Sequence, residues 1–320
     1  MTELLSVQVF LAVVTALFYI EARLLLHAWL HRRQKPRPGF WPRLGSTFNR
    51  RFSRIFHTAA VFGAGCILYG FFIEPSWIEV KTVRLSSPGI FPSSGPIRIV
   101  HLSDLHSEAE PLNEPAAMGL VNSLKPDIVV VTGDYLNTTE GIPVVRRMLS
   151  ALTAPYGVFC ITGNYDLQVP APGLFNGLPV RRLDKSAAIL DIRGTKIRVI
   201  GLEINSGSYF KRLMADLGPS PGYDVLLHHY SDLVYEADKA GIDLYLSGHT
   251  HGGQIRLPFY GALITLATFG KRFESGLYRV GRSALYVNRG LGMEGGIAPK
   301  VRFLCRPEIT VFEISAGKNH

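Results

Sequence analysis

Residues 242–254, Ile242-Asp243-Leu244-Tyr245-Leu246-Ser247-Gly248-His249-Thr250-His251-Gly252-Gly253-Gln254, set an apolar run directly before a glycine-rich turn carrying two imidazoles two positions apart. One such turn can aim two nitrogen ligands at neighbouring points in space, and its glycines let the backbone approach whatever binds there. The same pattern recurs upstream. Asp104-Leu105-His106 follows the apolar run 97–102, Gly133-Asp134 follows 128–132, and Gly163-Asn164-Tyr165-Asp166 follows 158–162. His228-His229 closes the run 225–227. Strand-like runs that repeatedly end in ligand-type residues point to one site assembled at the strand ends of a sheet.

The runs at 97–102, 127–132 and 157–162 are predominantly apolar, which predicts strands buried on both faces. Helical stretches near 115–124 and 143–152 separate them. Beyond Asp166 the texture changes to paired strands, with 187–192 and 196–201 flanking the hairpin signal Arg193-Gly194-Thr195. A helix is predicted over 209–217, a strand over 223–227, a helix over 232–240 stopped by Gly241, and a strand over 242–247. Strands at 276–280, 284–288 and 308–314 complete the tail. No internal repeat interrupts this order.

In their order, and in lying at strand ends, these motifs resemble the calcineurin-like metallophosphoesterase superfamily, whose signature runs DxH, GD, GNH(D/E), H, GHxH. The resemblance covers roughly residues 96 to 315. It implies an α/β fold, a four-layer αββα sandwich of the calcineurin-like phosphoesterase type, and hydrolysis of a phosphodiester or pyrophosphate bond by in-line attack on phosphorus. Carboxylates, imidazoles and an amide oxygen suit two divalent ions, Mn²⁺ first, with Fe²⁺, Zn²⁺ or Ni²⁺ also accommodated, and the lack of thiolates argues against a soft metal. A carboxylate can bridge two cations about 3.5 to 4 Å apart, and Asp134 is the bridging candidate. By resemblance, Asp104, His106, Asp134 and His251 hold one ion. Asp134, Asn164, His249 and one of His228 and His229 hold the other. The superfamily's pattern of a small residue before the ligand histidine aligns best with His229 as the ligand.

Tyr165 departs from the pattern, because the superfamily usually has histidine there. That histidine is assigned to stabilising the transition-state phosphate or protonating the leaving group, with the next acidic residue, here Asp166, orienting it. Tyr165 and Asp166 are thus the candidate catalytic pair. A phenol, with an ordinary pKa of about 10, donates a hydrogen bond but is a poor proton shuttle at neutral pH. Two readings stay open: reliance on metals and a good leaving group, or a slow and partly degenerate enzyme. Arg289 and His101 also lie by strands, but surface or core roles suit them better.

The first 89 residues carry eleven Lys and Arg against four Glu and so account for +7 of the net +9. Eight of those basic residues, Arg32 through Arg54, fall without an acidic neighbour between the uncharged stretches 4–20 and 59–73. Arginines beside an apolar span suit anionic lipid headgroups rather than nucleic acid. Both stretches are short against the roughly 20 residues that cross a bilayer core. The first can extend through 24–30 if Glu21 and Arg23 are tolerated, and the second can reach Trp77, with Pro75 ending the helix. No basic segment precedes the first run and no small-x-small site follows it, which disfavours a cleaved leader. We expect membrane segments at 1–30 and 57–78, or one span and an interfacial helix, with a basic loop at 31–56. A linker at 79–96, overlapping a strand candidate at 77–85, then leads to the metallophosphoesterase domain at 97–320. The expected location is the cell membrane, in a bacterium the inner membrane. Cys66, Cys160 and Cys305 show no paired spacing, so neither a disulfide framework nor a zinc ribbon is predicted.

Membrane attachment points to a phosphoester or pyrophosphate in or near lipid. Two kinds of relative fit: the UDP-2,3-diacylglucosamine pyrophosphatases of lipid A biosynthesis, and membrane-attached phosphodiesterases acting on simple diesters. Phe210, Leu213, Phe259, Tyr260, Leu263 and Phe269 are candidates for an acyl groove, although such residues are more often core. If both segments span, the arginine-rich loop stays cytoplasmic and the catalytic domain faces outward. A lipid A precursor enzyme needs a cytoplasmic site, and an interfacial first helix would remove that conflict. A reading of another class is a non-catalytic metal-binding scaffold at the membrane, with Tyr165 marking lost chemistry.

Overall fold

The computed structural model describes residues 2–31, 44–295 and 299–317. The chain divides into two compact units, Met1–Phe72 and Ile73–His320. In the first, α1 (Thr2–His31) and α2 (Leu44–Phe72) outrun the apolar stretches that mark them. Residues 44–56, expected as part of a basic loop, are helical instead, since no proline falls between Pro42 and Pro75 to stop the helix. Residues 32–43 of that loop lie outside the described residues. The stretches Glu3–Leu26 and Arg51–Ser76 are long and apolar enough to cross a membrane. At ~1.5 Å per residue each exceeds a hydrocarbon core of about 30 Å.

Glu21, which interrupts the first apolar run, is paired with His57 of α2, and His57 Nε2 lies 2.8 Å from Ser53 Oγ. His57 Nδ1 donates to the Glu21 carboxylate, so its Nε2 accepts from the Ser53 hydroxyl. A charged residue in an apolar helix is tolerated when a neighbouring helix supplies its partner. Gly63 of α2 lies beside Leu17 and Phe18, and the two pairings together make the helices antiparallel.

Residues 79–96, expected as a linker, instead begin the second unit. β1 (Glu79–Ser87) pairs in parallel along its nine residues with β14 (Glu308–Ala316), and its alternate residues Val83 and Leu85 enter the core. The first sheet has the order β1-β14-β2-β3-β4-β5, with β2 (Ile97–Leu102), β3 (Ile128–Val131), β4 (Val158–Cys160) and β5 (Arg181–Arg182) parallel to one another. The second has the order β12-β13-β9-β8-β7-β6. Its strands are β6 (Ser186–Ile192), β7 (Thr195–Leu202), β8 (Tyr223–His228), β9 (Leu244–Ser247), β12 (Gly276–Val280) and β13 (Ser283–Val287). The run β7-β8-β9-β13 is parallel, and β10 (Arg256–Leu257) with β11 (Gly261–Ala262) forms a small hairpin.

Side-chain alternation along each strand separates the layers. Ile99 and Val130 of the first sheet meet Val199, Leu227, Leu246 and Tyr286 of the second in one buried cluster. Their neighbours Val100, Val129 and Val131 face outward onto α3 (Glu114–Ser123) and α4 (Ile142–Ala151), through Ala117, Val121, Val145 and Met148. On the far side, Ile200, Leu226, Tyr245 and Leu285 pack on α6 (Gly207–Leu217) and α7 (Val234–Lys239) through Phe210, Leu213, Val234 and Ala237. Each such side chain contributes roughly 1.5 to 3 kcal/mol by burial. The result is the four-layer sandwich.

One ion pair lies inside it. Arg198 and Asp224 are each 1% exposed, and Arg198 Nε is 2.9 Å from Asp224 Oδ1 while its Nη1 donates to the carbonyls of Leu217, Gly218 and Pro219. The pair ties the end of α6 to β7 and β8. Asp224→Ala leaves a guanidinium buried without its anion, and a loss of about 3 to 5 kcal/mol is expected, read as a lowered melting temperature in detergent.

Candidate metal centre

Every motif singled out in the sequence lands on a turn at a strand end. Asp104 and His106 follow β2, Asp134 follows β3, and Asn164 precedes the short α5 (Tyr165–Gln168) after β4. His229 follows β8, and His249 and His251 follow β9. Of these seven residues, Asp104 (φ 50°), His106 (φ 44°), Asp134 (φ 56°), His249 (φ 70°) and His251 (φ 50°) have left-handed backbone. Such conformations cost of order 1 to 3 kcal/mol each outside glycine and cluster at functional sites. The adjacent glycines permit the crowding. A Cβ on Gly248 would stand 2.0 Å from Ser103 Oγ and 2.2 Å from Asp104 Oδ2, and one on Gly163 would stand 2.2 Å from Asp134 Oδ1.

Two groups of ligand atoms converge, Asp104 with His106 and His251, and Asp104 with Asp134 and His229, all within 4.8 Å inside each group. His251 Nε2 is 3.0 Å from His106 Nε2 and 3.4 Å from Asp104 Oδ1. Asp134 Oδ2 is 3.1 Å from His229 Nε2 and 3.7 Å from His106 Nε2, so this carboxylate faces both groups. Asp104 also touches both, with His229 Nε2 4.0 Å from its Oδ1.

Partners behind the rings decide which nitrogen faces inward. His106 Nδ1 donates to Asn137 Oδ1 at 2.8 Å, and Asn137 is itself oriented by Nδ2 donating to Glu108 and to the Met293 carbonyl. His229 Nδ1 donates to the Thr132 carbonyl at 2.7 Å. In both rings Nε2 therefore faces inward. His249 Nε2 donates to the Leu266 carbonyl at 3.3 Å, leaving Nδ1, and its ring centroid is 5.4 Å from that of His229. Asn164 Oδ1 is buried and meets no hydrogen-bond donor among the described residues.

The electrostatics ask for positive charge. Burial pushes the Asp104 carboxyl up to about 7. Burial also pushes Asp134 up, but the His229 imidazole outweighs it and holds Asp134 down at about 2. Burial lowers His106 and His249 to about 4. Burial lowers His229 as well, but Asp134 outweighs it and holds the imidazole up at about 10, a proton whose place a cation on Nε2 would take. Neutral imidazoles, close carboxylates and an orphaned amide oxygen are a donor set that divalent ions satisfy. The residues fit such ions.

The remaining candidates divide. His228, one position before His229, is hydrogen-bonded instead to Tyr245 Oη at 2.9 Å and the Tyr230 carbonyl at 3.1 Å. Asp166, expected to act beside Tyr165, directs its carboxylate to the N–H groups of Gly163, Asp134 and Tyr135 at 2.7 to 3.0 Å and so braces the turns. Tyr165 stands edge-on to His106, with ring centroids 4.6 Å apart, and its hydroxyl donates to Glu294 Oε1 at 2.9 Å. His101 is a core residue, with Nε2 2.8 Å from Thr132 Oγ1. Arg289 pairs with Glu79 and Glu308 and joins β1 to β14. Of the acyl-groove candidates, Phe210, Leu213 and Leu263 are buried and Phe269 packs on the outer core, whereas Phe259 and Tyr260 are exposed.

Sequence reading missed Asn137, Glu294 and the fully buried Arg302. Arg302 donates to the carbonyls of Arg289, Gly290, Gly292 and Cys305, and so holds a turn whose Gly292 N–H bonds the Asp104 carbonyl at 2.8 Å. Only Asn137, three residues beyond Asp134, carried any local signal.

Residues 97–253 match the family described as calcineurin-like phosphoesterase. The uncharacterized metallophosphoesterase YkuE of Bacillus subtilis is 34% identical over 266 residues, covering 78% of this chain and 89% of that protein. Phosphodiesterase YaeI of Escherichia coli is 29% identical over 259 residues, covering 77% and 92%. UDP-2,3-diacylglucosamine pyrophosphatase LpxG of Chlamydia trachomatis is 27% identical over 307 residues, covering 74% and 89%. The chain belongs to the calcineurin-like metallophosphoesterases. It is a metal-dependent hydrolase of that family.

His229→Ala is expected to lose bound divalent metal and His228→Ala to keep it, as read by plasma mass spectrometry of purified protein. Asn137→Ala, which frees the His106 ring, should weaken metal affinity about 10- to 100-fold.

Proposed function

We propose that this chain is a membrane-attached phosphodiesterase, with one metal held by Asp104, His106, Asp134 and His251 and the other by Asp134, Asn164, His229 and His249. The observation that carries this reading is Asp134 Oδ2, within 3.1 Å of His229 and 3.7 Å of His106, where one carboxylate serves two ligand groups. The donor set favours Mn²⁺, with Fe²⁺, Zn²⁺ or Ni²⁺ as the other fitting ions. When bound, such ions neutralise phosphate oxygens and lower the pKa of water to near neutrality. The protein's part is to hold the geometry. Asn137 and the Thr132 carbonyl fix the rings of His106 and His229, Asp166 fixes the turns of Asp134 and Gly163, and burial excludes bulk water from Asp104, Asp134 and His229. Tyr165 borders the cluster where a leaving group would depart.

The two N-terminal helices would place this site at a membrane, and the arginines between and along them favour a cytoplasmic loop with the catalytic unit outside. A substrate in or near the bilayer follows from that attachment. Similarity to LpxG supports a second reading, pyrophosphatase action on an amphiphilic nucleotide sugar such as UDP-2,3-diacylglucosamine. The buried positions of Phe210, Leu213 and Leu263 remove much of the acyl surface that reading would use.

Turnover of bis(p-nitrophenyl) phosphate and of UDP-2,3-diacylglucosamine by detergent-purified protein separates the two. The expected result is diester cleavage that chelation abolishes and Mn²⁺ restores. Asp134→Ala should lower it at least about 1,000-fold. Exclusive cleavage of the sugar nucleotide would replace the first reading with the second.

A further inference from the structure

We infer that Tyr165 and Glu294 form a specificity-determining pair that selects phosphodiesters whose departing alcohol carries hydrogen-bond donors or positive charge, and disfavours leaving groups that are themselves phosphates. This rests on the phosphodiesterase reading and narrows its substrate class. The donor capacity of the pair is set by its hydrogens. A phenol has one. In Tyr165 it is donated to Glu294 Oε1 at 2.9 Å, so the pair offers a substrate only acceptors: the phenol's lone pairs and the carboxylate oxygens.

The pair is fixed against the ligand cluster from both ends. Tyr165 follows Asn164, its N–H donates to Asp134 Oδ1 at 2.8 Å, and its ring abuts His106. Glu294 follows Met293, whose carbonyl receives Asn137 Nδ2 at 3.0 Å, and Asn137 also holds His106. Burial first, and then the charge of Asp134, push the Glu294 carboxyl above its ordinary range, so the two carboxylates are within electrostatic reach. A second acceptor lies beside His249. There a cleft of about 280 Å³ is lined by Tyr230, Ser231, Asp232 and Thr268, and the Asp232 carboxylate, with Oδ1 3.5 Å from His228 Nδ1, stands beside the three hydroxyls. The acceptor face of the Tyr165–Glu294 pair attracts hydroxyl and ammonium groups, and its carboxylate repels an added phosphate.

The test is the ratio of kcat/KM for glycerophosphocholine to that for UDP-N-acetylglucosamine, measured with full-length protein in detergent and Mn²⁺. Wild type should favour the choline diester. Glu294→Gln and Glu294→Lys should each lower the ratio about tenfold or more, the lysine variant further, and Tyr165→Phe should move it the same way. A merely structural role would depress both substrates together, and an unchanged ratio overturns the inference. So does a wild type that cleaves bis(p-nitrophenyl) phosphate yet prefers the sugar nucleotide, although the phosphodiesterase reading then stands. A wild type that hydrolyses none of the three overturns that reading itself.

Discussion

Asp104 and Asp134 are two carboxylates buried within reach of the same imidazole, His229, and their mutual repulsion in a dry interior is the constraint around which the catalytic unit is arranged. Water cannot screen them, so neighbouring groups must hold them. Asp104 accepts the His249 N–H at 3.0 Å, and Asp134 accepts that of Tyr165. Asp166 and Arg302 work one layer further out, on backbone rather than on ligands. An isolated buried carboxylate would simply take up a proton, whereas a carboxylate pair among imidazoles is poised for divalent cations.

The sandwich is what makes such crowding tolerable. Five left-handed residues in three turns would not persist in a loose loop, because each costs more than a local contact returns. Here each turn is continuous with a strand buried on both faces, and the apolar layers above and below over-determine its path. The two sheets meet at this edge through Asp104 and His249, from β2 and β9. A site made of residues 145 positions apart in sequence therefore has the rigidity of a core.

Tyr165 changes the chemistry without changing the frame. Its backbone keeps the contact to Asp134 that the turn requires, while its side chain reaches across to Glu294 in a loop 129 residues away. The Tyr165 ring abuts His106, yet its hydroxyl is held by Glu294 and not by a proposed metal ligand. Substrate choice can vary at that border while the metal ligands stay in place.

The order of strand ends and the ligand-type residues on them, Asp104, His106, Asp134, Asn164, His249 and His251, was legible in the sequence, and so were most strands and helices of the sandwich. These features are local: apolar runs bury strands, and glycines beside polar residues mark the turns that follow. Strand β1 was legible as a strand but not as part of the sheet, since its partner β14 lies at the other end of the chain. The bracing role of Asp166, the orientation of His106 by Asn137 and the pairing of Tyr165 with Glu294 were settled only by the fold. The sequence pattern already favoured His229 over His228, while what each ring meets, the Thr132 carbonyl for one and Tyr245 with the Tyr230 carbonyl for the other, became visible only in the fold. Hydrogen bonds between distant side chains leave no periodic trace along the chain, and packing alone brings their partners together.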